Sequence, residues 1–191
     1  MTDRPITFRA EIVRALLDGR KTQHREILKP QPDTLPNGFA GLRLPYAVGD
    51  RLWCREVWGL GVSDHGNCPR YRATMDYRCG DKIRSHHEGP FTWRSPIHMP
   101  RWASRLTLIV TNVRVQRLHD ISAADAIAEG CHVYASSATI DCDTPDPRQE
   151  YRRLWNSLHG PDAWDANPWV AALTFTVHRQ NIDQINQGDM K

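Results

Sequence analysis

No apolar run in this chain of 191 residues approaches the roughly eighteen needed for a membrane-crossing helix. The opening residues, Met1-Thr2-Asp3-Arg4-Pro5, also lack the apolar stretch of a signal peptide. A cytoplasmic protein with no membrane partner is the expectation. There is no CxxC pair either. The five cysteines, Cys54, Cys68, Cys79, Cys131 and Cys142, form an odd, scattered set, which argues against a disulfide framework. Charge of one sign is barely in excess. A net charge of +3 permits nucleic-acid contact without demanding it. Internal repeats and low-complexity tracts are missing, and aliphatic residues are scarce between about 59 and 93.

What is present suffices for a packed core: 40% of residues are hydrophobic, and seven are Trp. Length and pattern predict one domain over 1–178, an irregular insertion at about 59–93 and a polar tail over 179–191 that frays. Ala10 to Asp18 has helical spacing, and Gly19 stands where a helix end wants positive φ. Pro30, Pro32, Pro36 and Pro45 make 29–47 a loop. Alternation predicts strands over 51–58, 105–118 and 170–178, with a short one at 6–8. Ser122 is a good N-cap with Asp125 three residues on, so 122–129 is expected to be helical, ending at Gly130. Asp146-Pro147 can start another helix that presents Tyr151, Leu154, Trp155 and Leu158 on one face. Trp155, Trp164 and Trp169 are expected to pack that helix down. Strands mixed with a few short helices indicate an α+β fold.

The densest chemistry follows the first helix. Gly19-Arg20-Lys21-Thr22-Gln23-His24-Arg25 delivers one Lys, one Thr, one His and two Arg within six residues behind a helix end. It suits an anion or a nucleobase, although composition alone favours a solvated basic turn. This run resembles the GxKxxxxR-type signature of the ASCH domain family, a branch of the PUA-like β-barrels. Three more segments are similar to family segments, in the same order. They are Val48-Gly49-Asp50-Arg51-Leu52-Trp53, the stretch Leu118 to Gly130 with its terminal Glu129-Gly130, and Trp169 to Phe175. Ile97 to Arg105 is similar to a block of bacteriophage and prophage ASCH proteins. The resemblance implies a PUA-like small mixed β-barrel with peripheral helices and one irregular insertion. It also implies a pocket lined by Lys21, Thr22, His24, Arg25, Glu56 and Glu129.

Within the ASCH family, a small bacterial amidohydrolase deacetylates N4-acetylcytidine. The resemblance places its Lys on Lys21 and its Glu on Glu129. Its Thr falls on His24, a departure that excludes a Thr nucleophile there. Amide hydrolysis needs an activated nucleophile, a stabilised oxyanion and a protonated leaving amine. Lys21, His24 and Glu129 can share those tasks as catalytic residues, with no cofactor. The same three groups suit a ribonuclease, and the competing view is a site that binds without turnover.

A second constellation interleaves cations with rings: Arg20, Lys21, Arg25, Arg94, Arg101 and Arg105 with Trp93, His98 and Trp102. Arg and Lys neutralise phosphate, and rings stack on unpaired bases. Arg20, Thr22, Arg25, Glu56, His98, Arg101 and Trp102 are therefore the substrate-binding candidates. The expected partner is a modified nucleoside, a nucleotide or single-stranded RNA. The alternative puts Trp102 and Met99 in the core and the arginines in solvent. If Glu56 faces the interior it needs a partner, and Lys21 or Arg25 is a candidate. A third constellation, His65, Cys68, Cys79, His86 and His87, has ligand types that suit Zn²⁺, although it lacks a CxxC knuckle.

Overall fold

The computed structural model describes residues 2–32, 44–63, 66–79, 82–85, 92–131 and 146–185. The chain forms two compact units. One comprises Met1–Asp18, Asp50–Ile109 and Val177–Lys191, the other Gly19–Gly49 and Val110–Thr176.

In the first unit, strand β1 (Asp3–Thr7) leads to helix α1 (Ala10–Leu17). The helix buries Val13, Ala15 and Leu16 and stops before Gly19, whose φ is +73°. Strand β2 (Gln23–Ile27) belongs to the second unit. Strand β3 (Arg51–Arg55) pairs in parallel with β1. It also pairs antiparallel with the first residues of β9 (Thr107–Arg117).

The described residues between 58 and 94 of the same unit form a second sheet, where an irregular insertion was expected. Its strands are β4 (Trp58–Ser63), β5 (Gly66–Tyr71), β6 (Asp76–Cys79), β7 (Lys82–Ser85) and β8 (Trp93–Arg94). Their order is β7-β6-β5-β4-β8. Scarce aliphatics do not prevent it, because aromatic groups supply the interior. Trp58, Tyr71, Met99 and Ala103 form its buried cluster, with Leu60 against it. Gly61 has a steric role: a Cβ there would lie 2.5 Å from Arg70 Nε on the neighbouring strand. The tail does not fray through residue 185. Asn181 and Ile182 are buried, and Asn181 donates to the carbonyls of Arg101 and Ser104 at 2.8 and 2.7 Å.

In the second unit, β9 continues into helix α2 (Ala123–Ala128), helix α3 (Pro147–His159) and strand β10 (Trp169–His178). Ser122 caps α2 by accepting from the Asp125 N–H at 3.0 Å. Asp146 caps α3 in the same way, with Pro147 just inside. Strand β10 pairs antiparallel with β2, from Val170↔Ile27 to Thr174↔Gln23. Leu118, Ile121, Ala126, Cys131, Tyr151, Trp155 and Val170 form the core, with Ile27, Leu154 and Trp164 against it.

The architecture is α+β with few helices. The sheet orders are open, and no strand pairing among the described residues closes either sheet into a barrel. No helix among the described residues is long and apolar enough to cross a membrane. Cys54, Cys68 and Cys131 are buried free thiols.

Candidate functional site

The basic run enters β2 through Lys21, which forms an isolated backbone bridge with Glu129. Thr22 N–H donates to the Ala128 carbonyl at 2.8 Å, and the Thr22 carbonyl accepts from Phe175 N–H at 3.0 Å. Helix α2 ends here because Gly130 adopts φ +95°. Arg20 Nη1 donates to the Gly130 carbonyl at 3.2 Å, tying the run to that turn. Two backbone segments are thus stitched together, and their side chains meet between them.

Lys21 and Glu129 are 1% and 4% exposed. Lys21 Nζ donates to Glu129 Oε2 at 2.5 Å and to the Glu129 carbonyl at 3.0 Å. Arg25, equally buried, donates from Nη1 to Glu129 Oε1 at 2.8 Å. Its Nη2 lies 3.0 Å from Asp125 Oδ2. Two buried cations thus face two carboxylates, the condition under which buried charge is tolerated. Lys21, Gln23, Arg25 and Ile27 share parity along the chain, so a strand places them on one face, and Gln23 accepts from Arg25 Nη1 at 3.3 Å.

His24 takes the opposite parity on β2. Burial, then the charges of Lys21, His159 and Arg25, push its imidazole well below the ordinary value, so it stays neutral at pH 7. Burial pushes Tyr151 well above the usual phenol range, with Glu129 adding to it. Burial, with a further contribution from Glu129, raises the Cys131 thiol to about 12, which makes it an inert thiol. Burial also pushes Asp125 upward. Hydrogen bonds from Arg114 and Gln23, and the charges of Arg25 and Arg114, outweigh that and hold it below the usual value.

The structure brings Lys21, Arg25 and Glu129 into direct contact, with Arg20 and His24 beside them and Thr22 exposed. Glu56 is taken by Arg105, whose Nε and Nη2 reach its two oxygens at 2.8 and 3.0 Å. Arg105 is therefore a buried partner, stacked 4.0 Å over the Tyr71 ring, and not part of a phosphate-binding surface. Arg101 is engaged by Asp3 and Asp183 at 2.7 and 2.6 Å. His98 is exposed, and Trp102 is 49% exposed, edge-on to Trp58 with ring centroids 6.3 Å apart. Met99 is in the core.

Asp125 is the residue that sequence reasoning missed, having been seen only as a capping position. The available signal was spacing, since Asp125 and Glu129 stand four residues apart and project from one helical face. Of the metal candidates, Cys68 is buried. His65, His86, His87 and the Cys79 side chain lie outside the described residues. Among the described residues no three potential ligands cluster.

No family model matches the chain, and no curated protein matches it. Among solved structures, the chain is similar to the crystal structure of protein EF3133 from Enterococcus faecalis V583, described as family-model DUF984. The TM-score is 0.46 at 12% identity, over 98% of this chain and 86% of that one. A likeness that weak identifies neither fold nor function.

Proposed function

We propose that this chain is an ASCH-type, PUA-like nucleoside-binding protein whose Lys21–Glu129 centre hydrolyses the amide of an N4-acylated cytidine. The observation that supports it is the 2.5 Å approach of Lys21 Nζ to Glu129 Oε2. Water attacks the acyl carbon and passes its proton to the Lys21–Glu129 pair, since His24 takes the opposite face of β2. The Lys21 ammonium stabilises the oxyanion. The carbon–nitrogen bond then breaks, and the amine leaves with a proton from the Lys21–Glu129 pair. Cytidine and a carboxylic acid result. Arg20 and Thr22, next to Lys21 along the chain, are the substrate-contact candidates.

A non-enzymatic module for a nucleoside, a nucleotide or single-stranded RNA is the second reading. One observation favours it: both Glu129 oxygens are already occupied, by Lys21 and Arg25. The exposed Trp102 and His98 would then offer rings for base stacking, worth about 1–3 kcal/mol per base.

Incubation with N4-acetylcytidine, followed by chromatography of cytidine, separates the two. Conversion that falls at least about 100-fold in Lys21→Ala supports hydrolysis. No conversion at high protein concentration transfers the centre to the binding reading. RNA cleaved to a 2′,3′-cyclic phosphate instead marks a ribonuclease.

A further inference from the structure

Five charged side chains alternate in sign from the surface inward: Arg114, Asp125, Arg25, Glu129 and Lys21. Arg114 Nη2 donates to Asp125 Oδ1 at 2.9 Å. Asp125 Oδ2 holds Arg25, Arg25 holds Glu129 Oε1, and Glu129 Oε2 holds Lys21. Side-chain exposure falls along this row from 41% at Arg114 to 13% at Asp125 and 0% at Arg25. Arg25 Nε and Nη2 find no hydrogen-bond acceptor, so the Asp125 contact at 3.0 Å is an ion pair and not a hydrogen bond. A buried guanidinium with an unmet N–H is held in place by the two carboxylates it bridges, because an unmet donor favours return to water.

Glu129 stands at the C-terminal end of α2 with its side chain 2% exposed. Its two oxygens are not equivalent, since one is gripped by Arg25 and the other faces Lys21. We propose that Arg25 and Asp125 are positioning residues for Glu129. Arg25, anchored on Asp125, seizes Oε1 and so holds Oε2 on the Lys21 ammonium. Arg25 thereby changes role from substrate contact to support, and Asp125 acquires a role besides helix capping. Only Arg fits this position, because its planar fork reaches both carboxylates at once and a Lys ammonium does not. As a statement about catalysis, this inference rests on the reading of Lys21 and Glu129 as the working pair.

The test compares wild type with Asp125→Asn and Arg25→Lys, and with Asp165→Asn as a control carboxylate paired on the surface to Arg152. Two quantities are read. The first is kcat and KM for N4-acetylcytidine, per molecule shown to be folded by circular dichroism. The second is reductive methylation of Lys21, followed by mass spectrometry, which needs no activity. Both variants are expected to lose about 10- to 100-fold in kcat with KM nearly unchanged, because a displaced catalytic group costs rate rather than affinity. Both are also expected to label Lys21 faster than wild type and the control. Full kcat per folded molecule, with Lys21 still protected, overturns the positioning role and leaves the proposed hydrolysis standing. If wild type proves inactive, the hydrolysis falls and labelling alone decides. Faster labelling in both variants then supports the positioning of Glu129, and unchanged labelling overturns it.

Discussion

Lys21 donates twice to one residue, to the carboxylate of Glu129 at 2.5 Å and to its backbone carbonyl at 3.0 Å. A side chain held both by charge and by main chain has little freedom. The pair therefore serves as a structural clasp as well as a candidate catalytic centre. That double role separates the effects of removing either partner.

Glu129→Ala leaves Lys21 and Arg25 buried, with Asp125 as the one carboxylate of the group. A loss of about 3–5 kcal/mol in stability is expected. Lys21→Met removes a cation of similar shape and leaves Glu129 in the grip of Arg25, so the loss is expected to be smaller, about 1–3 kcal/mol. Urea unfolding of the two variants measures the difference. Equal losses would show that Arg25 does not depend on Glu129.

His24 makes stability depend on pH. Its native value lies well below the ordinary 6.5, so the unfolded chain binds a proton that the native one refuses. Unfolding takes up protons between those two values, and stability rises with pH there. The His24 contribution is thus complete above 6.5 and is lost as pH falls through 6.5 toward the native value. The slope from this one group reaches at most about 1.4 kcal/mol per pH unit. Urea midpoints from pH 8 down to 5 are expected to fall in wild type and to fall less steeply in His24→Gln. Identical slopes would place the acid sensitivity elsewhere.

Arg105 and Glu56 form the second buried pair, with side chains each 2% exposed. Arg105→Leu alone leaves Glu56 without the guanidinium that neutralises it, and a loss of about 3–5 kcal/mol is expected. The double variant Glu56→Leu with Arg105→Leu is expected to recover most of that, because no charge is left buried. A double-mutant cycle read by thermal unfolding gives the coupling. Additive losses would mean that the two-point contact contributes nothing beyond packing.

Much of the local structure was legible in the chain. Gly19 ends α1, Ser122 caps α2, Asp146-Pro147 opens α3, and the alternation of 105–118 is strand β9. Each rests on contacts within a few residues. The sheet over 58–94 is not legible in its few aliphatics, because Trp58 and Tyr71 supply its core instead. Among the described residues the strand orders are open, and barrel closure is not legible in sequence because it depends on which strands end as neighbours and not on the content of any one of them.

Residue order alone settles the periodic elements, their caps and the crowding of cations at 20–25, since those follow from neighbours along the chain. Tertiary structure decides the pairing of charges. Lys21 and Glu129 lie 108 positions apart, and Glu56 and Arg105 lie 49 apart. Any Lys or Arg of this chain is a formal match for any of its carboxylates. A buried charge keeps only the partner whose backbone arrives at hydrogen-bond distance with water excluded, and that arrival is a property of the folded chain.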